Sequence, residues 1–364
     1  MSTTEIPTCR WGIITTGQAS SWFVTELVVE HISNKARHII QAIGSSSLIK
    51  GKEFAAKCLK DAPNQQPTIY ASYAEVYADP HVDCVYIGSP HGLHKQHCLE
   101  AIAAGKNVLC EKAFTMNAKE ALEVFDAARR KGVYVAEAMW LRHRPIVAEL
   151  KKLLHVEKVI GEVYRTTSDF QMCLEVAELP PTSRFRDLSL GAGSLLDIGV
   201  YSLTWALLTL EGGTPPRDEK PNVVAAQSFV DGIEVMTSLI LSYPTSGRHG
   251  IVTTSMQQSR RASSVIATID GTDGFIEVEG TAPSHPSSFI VYPKWTTGCD
   301  SKPRGTRYNF PVSQQGFIYE ADNTALDLAS GRKESLIMPW SETVRVMEIM
   351  DEVRRQGGTK YPVD

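Results

Sequence analysis

A chain of 364 residues, 43% hydrophobic and 21% charged, has an ordinary globular composition and is long enough for two domains. Its formal charge of −4, from 37 Lys and Arg against 41 Asp and Glu with no long run of either sign, argues against a nucleic-acid-binding or anionic-membrane-binding protein. The start, MSTTEIPTCR, has no signal-peptide pattern, no uninterrupted apolar run of about 18 residues follows, and seven scattered cysteines (Cys9, Cys58, Cys84, Cys98, Cys110, Cys173, Cys299) form no C-x-x-C pair. A cytoplasmic, reducing setting is the expectation, without disulfide framework, zinc knuckle or membrane span.

Residues 9–15, 38–44, 82–89, 106–111 and 133–138 are short apolar runs without in/out alternation, which predicts strands buried on both faces. Segments with helical period lie between them, at 20–33, 47–60, 92–104 and 117–131. Ser45, Ser46 and Ser47 precede the second and Asn117 opens the last as caps. Strand and helix in repeated alternation predict a doubly wound parallel sheet of Rossmann type over residues 1–145.

In that fold the first strand-to-helix turn, WGIITTGQASSWF, should carry a dinucleotide on Thr16, Gly17, Gln18 and Ala19, with the helix N-terminus offering free N–H groups to the phosphates. Thr15 and Ser20 stand where the outer glycines of G-x-G-x-x-G would be, so a tight turn without ligand stays open as an alternative. The end of the second strand has no Asp or Glu to hold a ribose 2′-hydroxyl. It offers Ser45, Ser46, Ser47 and Lys50, which suits the 2′-phosphate of NADP unless the serines merely cap the helix.

GSPHGLHKQH follows the third strand. A metal site on His91, His94 and His97 is not expected, because steps of three turn the outer pair about 60° apart on a helix and no acid or cysteine completes the set. Ser89, Pro90, His91 and His94 are assigned to the cofactor groove at the strand end, and His97 to the helix with no special task. The next strand ends in VLCEK. Glu111 and Lys112 thus fall at the carboxyl edge of the sheet, where ligands of such folds bind, and the lysine either offers positive charge to a substrate oxygen or snorkels to solvent.

After about residue 150 the pattern changes, and 146–364 is read as a second domain. GSLLDIGVYSLTWALLTL (193–210) predicts a buried helix on which Asp197, Tyr201 and Thr204 form a polar stripe, either internally hydrogen-bonded or the wall of a pocket. Six strand-like runs follow between 222 and 292, the first two joined by Asp231-Gly232, a hairpin dipeptide, and they predict an antiparallel sheet. Loops are expected at 211–221 and 280–306. Helices at 316–330 and 341–355 close the chain and are free to pack back on the first domain. IEVMTSLILSY carries apolar residues at both parities, so a homodimer burying one sheet face is expected.

Jointly, WGIITTG, IGSPHGLHKQH, GKNVLCEKAFTMNAKEA, VAEAMWLRHRP and GAGSLLDIGVYSLTWALL resemble the glucose-fructose oxidoreductase and inositol dehydrogenase family, nearest the branch of dimeric dihydrodiol dehydrogenases and fungal NADP-dependent D-xylose dehydrogenases. The likeness runs over nearly the whole chain. It implies a Rossmann domain followed by an open, mostly antiparallel sheet whose bare face pairs two subunits. The family's E-K-P motif falls on Glu111 and Lys112, with Ala113 in place of proline, and its acid/base motif on Asp197 and Tyr201, a tyrosine where inositol dehydrogenases have histidine. Trp140 and Arg142 would line the substrate pocket, and Ser46 stands where NADP-using relatives often carry arginine. The implied reaction is oxidation of an aldopyranose at C1, D-xylose to its lactone, with Tyr201 as acid/base and Lys112 assisting. A trans-dihydrodiol or dicarbonyl oxidoreductase and a catalytically silent NADPH-binding regulator are the alternatives.

Overall fold

The both-faces-buried runs of the first third become one parallel sheet, because a strand with no polar face has to be covered on both sides. The structure is a computed structural model and describes residues 6–29, 35–212, 219–257, 264–296, 301–310 and 314–364. Cys299, residues 30–33 of the first predicted helix and parts of the predicted loops at 213–218 and 297–300 lie outside the described residues. The chain divides into two compact units, Met1–His143 with Ser313–Met347, and Arg144–Val312 with Glu348–Asp364.

The first unit runs β1 (Thr8–Ile14), α1 (Gln18–Leu27), β2 (Arg37–Gly44), α2 (Leu48–Cys58), β3 (Thr68–Tyr70), α3 (Tyr73–Ala78), β4 (Cys84–Ile87), α4 (His91–Ala103), β5 (Asn107–Glu111), α5 (Ala118–Lys131) and β6 (Val135–Ala138). The six strands lie in the order β3-β2-β1-β4-β5-β6, all parallel, which is the doubly wound order with its switch point between β1 and β4. β3 and α3, with three and six residues, are too short to leave a period in the sequence, and neither was expected. Side-chain caps start the helices where expected: Ser47 Oγ accepts the Lys50 N–H, and Asn117 Oδ1 accepts that of Glu120 at 2.9 Å.

The second unit begins with α6 (Pro145–Lys151) and continues through β7 (Val163–Gln171), α7 (Val200–Leu210), β8 (Asn222–Val230), β9 (Ile233–Ser242), β10 (His249–Ser255), β11 (Val265–Gly271), β12 (Gly274–Ala282), β13 (His285–Pro293) and β14 (Thr306–Asn309). Its eight strands are ordered β14-β13-β12-β11-β7-β10-β9-β8. Every pair is antiparallel except β7 with β10, so the sheet is mostly antiparallel, as expected, with one parallel exception. The cause is β7, a strand not expected from the sequence, which enters the middle of the sheet before the hairpins are laid down on either side. Asp231 and Gly232 turn β8 into β9 with both φ angles positive, 50° and 80°, as a type I′ turn requires.

One face of this sheet is covered by α7, of which every residue is buried. The approach is close: a Cβ on Gly250 would come within 3.1 Å of Ala206 Cβ and 3.2 Å of Leu210 Cδ1, so glycine lets helix and strand meet. Leu188–Leu210 is the one stretch among the described residues long and apolar enough to cross a membrane, and nearly all of it is enclosed in this unit. Two more helices complete the chain, α8 (Phe317–Ala329) and α9 (Trp340–Gly357). α8 belongs to the first unit, where the Glu26 carboxylate accepts the backbone N–H groups of Gly316 and Ile318 at its N-terminus.

Candidate active site

The sequence candidates of the first unit gather at the carboxyl ends of β1, β2, β4 and β5. Thr15, in the place of the first glycine of the dinucleotide fingerprint, takes a left-handed backbone with φ 75°, a conformation that costs a β-branched residue strain and glycine none. Gly17 follows as the N-cap of α1. A Cβ there would meet no protein atom nearer than the Gly88 carbonyl at 3.6 Å, so the packing does not demand glycine and its bareness leaves room for a ligand. Thr16, Gly17, Gln18 and Ser21 line one wall of a groove whose other wall is Lys50, Glu53, Phe54 and Lys57 of α2. No acid stands in the first turn of either helix.

Ser45 follows β2 with its hydroxyl buried and without a partner, and Lys50 Nζ lies 3.4 Å from Ser46 Oγ. The Thr16 and Ser21 hydroxyls, Lys50 and Lys57 line the groove together with the Glu53 carboxylate, and the end of β2 carries Ser45 and Ser46 with no carboxylate, which suits a phosphorylated dinucleotide.

At the end of β4, Pro90 caps α4 and the histidines take up other tasks than expected. His94 is enclosed, with Nε2 2.7 Å from the Ser89 carbonyl and Nδ1 3.1 Å from the carbonyls of both Ala113 and Phe114. Neither ring nitrogen is left to address a groove, which corrects the assignment of His94 as a cofactor contact. His97 is not idle: its Nδ1 lies 3.1 Å from Ser89 Oγ and its ring stands edge-on to Tyr73. The His91 ring packs edge-on against that of His94 at 5.6 Å. Among the described residues no group of His, Cys, Asp and Glu is placed to hold a metal.

β5 ends in Glu111, which turns inward. Its Oε1 accepts the Tyr86 hydroxyl at 2.6 Å, and the Tyr86 ring is stacked on Phe23 at 3.8 Å. Burial, and then the Glu111 carboxylate, push the Tyr86 phenol well up. Glu320 of α8 is fully enclosed, has no hydrogen-bond partner on either oxygen, and its pKa is pushed up by burial first and by Glu111 second. The acid of VLCEK is therefore part of a buried network, whereas Lys112 is half-buried at the sheet edge, joined to Ala113 by a cis peptide bond.

Trp140 and Arg142 sit in a 3-10 turn after β6 and are also committed inside the first unit. Trp140 stacks on Phe317 at 5.1 Å, and the buried Arg142 guanidinium is bonded to Glu342, which holds Arg345 as well. The expectation that Arg142 faces a substrate gives way to a buried ion pair.

In the second unit the predicted 193–210 helix opens instead as a π turn, Leu195–Gly199, before α7. The wider turn changes the angular step between residues, so Asp197 and Tyr201 are not stacked one α-turn apart. Asp197 accepts from Arg184, 3.3 Å away, and the Arg184 guanidinium lies over the Phe185 ring at 3.9 Å. Tyr201 is buried, its ring 5.9 Å from that of Phe170. Thr204, third in the expected stripe, bonds back to the Val200 carbonyl at 2.7 Å and has its need met within the helix.

Glu234 of β9 holds the π turn from below. It accepts from Ser194 Oγ at 2.6 Å, the Leu195 N–H at 2.8 Å and Thr237 Oγ1 at 2.8 Å. Burial raises its pKa against the pull of those donors. Arg184, Phe170 and Glu234 were not singled out from the sequence. The one available signal was Glu234 itself, an acid between Ile233 and Val235 in a strand.

The family model for an oxidoreductase family with an NAD-binding Rossmann fold matches residues 9–139. The chain is 34% identical to the D-xylose 1-dehydrogenase (NADP(+)) of Hypocrea jecorina over 98% of its own length and 93% of that protein. The chain belongs to the glucose-fructose oxidoreductase and inositol dehydrogenase family. It is also 34% identical to the trans-1,2-dihydrobenzene-1,2-diol dehydrogenase of Xenopus tropicalis, across 97% of this chain and 99% of that one. A 3-ketoreductase from Actinomadura kijaniata, solved with NADP and TDP-benzene, shares the fold with a TM-score of 0.78 at 20% identity, covering 96% of this chain and 98% of its own. Membership in this family accounts for the oxidoreductase class, the Rossmann unit and the second sheet together.

Proposed function

We propose that the protein is an NADP-dependent sugar 1-dehydrogenase that oxidises an aldopyranose at C1, D-xylose to D-xylonolactone. The observation that carries this reading is the 34% identity, over 98% of the chain, to a protein named for that reaction. The end of β2 supports it, with Ser45, Ser46 and Ser47 where an NAD enzyme would carry an acid and Lys50 in the adjoining groove.

NADP, held by the α1 N-terminus, Gly17 and the Ser46–Lys50 wall, supplies the hydride acceptor when bound. Tyr201, as its phenolate, takes the proton of the C1 hydroxyl and becomes the phenol, while the C1–H electron pair leaves with its hydrogen for the hydride acceptor. A free phenol has a pKa of about 10, and an ammonium is the simplest group to lower it, the assisting task this reading gives to Lys112. Asp197, tethered by Arg184, orients the sugar hydroxyls beside Tyr201. A homodimer is part of the same reading. The second sheet leaves apolar Val224 (60% exposed) and Ile240 (42%) uncovered, and a second copy would hide them. The setting assigned is the reducing cytoplasm, where cysteines persist as thiols.

A second reading, a trans-dihydrodiol oxidoreductase, draws on Phe170 beside the Tyr201 ring and Phe185 beneath Arg184, since aromatic walls suit an aromatic diol. Following nicotinamide reduction with D-xylose and with trans-1,2-dihydrobenzene-1,2-diol, each with NADP and with NAD, separates the readings. Turnover on the diol alone moves the assignment to the second reading. Tight NADPH binding without turnover on any sugar or diol replaces both with a binding protein.

A further inference from the structure

The ring of His94 faces three backbone carbonyls and no donor. Nε2 points at Ser89 O, 2.7 Å away, at the end of β4; Nδ1 points at Ala113 O and Phe114 O, both at 3.1 Å, in the segment that follows Lys112. A carbonyl oxygen only accepts, so a hydrogen bond here has a ring N–H as its donor; the neutral ring has one N–H, which bonds one side, and the other side is held by close packing of the ring against it. Burial pulls its pKa down to about 4, with the same three carbonyls pulling it up. Each end of the bridge is held a second time. His97 reaches Ser89 Oγ from the next turn of α4, and the buried Glu137 carboxylate of β6 accepts the Phe114 N–H. Ser89 and the backbone after Lys112 belong to neighbouring strand ends, β4 and β5, and the side chain joining them is 1% exposed.

We propose that His94 is a positioning residue that clamps the backbone at Ala113 and Phe114 to the turn at Ser89, and so fixes where Lys112 presents its ammonium. The inference rests on the dehydrogenase reading for the use made of Lys112, but the clamp itself does not require that reading. It explains why an imidazole sits among carbonyls in a dry site: Leu or Phe would fill the space but bring no N–H to them.

Two readouts on the full chain test it. In His94→Leu, amide hydrogen exchange of segment 112–117 should rise by about tenfold or more while that of β1 stays unchanged. Turnover should fall on the order of 10²-fold with KM changed only a few-fold, since a shift of about 1 Å in a reacting group costs that much. His94→Gln, which retains an N–H donor of similar reach, should recover most of both losses. Unchanged exchange and turnover in His94→Leu overturn the proposal, and so do equal losses in the Leu and Gln variants, which would make the residue a packing element. Where His94→Leu does not fold, His94→Asn, whose short amide cannot reach both sides, takes its place, and faster exchange with lower turnover supports the clamp while no change in either overturns it. A wild type without turnover on D-xylose or the diol refutes the functional reading, and the exchange measurement still decides the clamp.

Discussion

Glu137 is the buried acid whose energetic consequence can be worked most directly. It is 1% exposed, accepts from Thr343 Oγ1 at 2.8 Å and from the Phe114 N–H, and burial pushes its pKa up from 4.5 to about 7. A folded-state pKa above the unfolded one means that the folded protein favours the proton. The associated stability is fully present below pH 4.5 and is lost as pH rises from there through 7. The whole loss is about 3 kcal/mol, and the part falling between about pH 5 and pH 8 is roughly 2.5 kcal/mol. Glu137→Gln removes the titration. Its amide also brings a constant offset, because Oε1 has no partner in the wild type. We therefore expect the stability difference between variant and wild type to move by about 2.5 kcal/mol in favour of the variant from pH 5 to pH 8. Urea denaturation followed by tryptophan fluorescence at three or four pH values measures it. A difference that stays flat across that range refutes the assignment of Glu137 as a proton-favouring buried acid.

Tyr201→Phe and Lys112→Ala should each lose on the order of 10² to 10⁴ in turnover while NADPH binding, read by its fluorescence, persists; near-normal turnover in either removes that residue from the chemistry. Ser46→Asp places a carboxylate at the end of β2 and should shift the ratio of kcat/KM for NADP over NAD by about tenfold or more toward NAD, and an unmoved ratio would place the 2′-phosphate elsewhere. Glu234→Ala leaves Ser194 Oγ, the Leu195 N–H and Thr237 Oγ1 without their acceptor and should cost about 3 kcal/mol or more, Glu234→Gln distinctly less, in the same denaturation assay; equal costs would mean that charge matters and acceptors do not. Ile240→Lys on the uncovered sheet face should convert a dimer into a monomer in sedimentation equilibrium, and a wild type that already sediments as a monomer ends the dimer proposal.

Much of the fold was legible because burial leaves a local trace. VDCVYIGS and KNVLCE have no polar face, and both lie in a sheet covered on two sides; Asn117 and Ser47 cap helices that start one residue later. β7 had no such trace. VYRTTSDFQ is mostly polar, and its place in the middle of the second sheet comes from pairing with β10 and β11, whose closest partners are more than 80 residues away. The π turn at Leu195–Gly199 was equally hidden, since its apolar residues fit a regular helix and the acceptor that holds Ser194 and the Leu195 N–H is Glu234, some 40 residues on.

The candidate site divides along the same line. Residues whose proposed task is local, such as Gly17 at a strand-to-helix turn or Lys112 at a strand end, could be placed from position alone. Residues whose partner lies far along the chain could be recognised as polar, but the partner could not be read from the sequence. Arg142 meets Glu342, Glu137 meets Thr343, and His94 meets Ala113 and Phe114. In each case an ionisable side chain that sequence reading would place against a ligand is spent holding protein. A buried charge or imidazole is costly unless paired, so residues that look most chemical are also those most often engaged by neighbours the sequence does not reveal. Lys112, the half-buried cation set between Glu111 in the Tyr86 network and the Ala113 carbonyl facing His94, is flanked by neighbours already engaged, which is what the fixed position proposed for it requires.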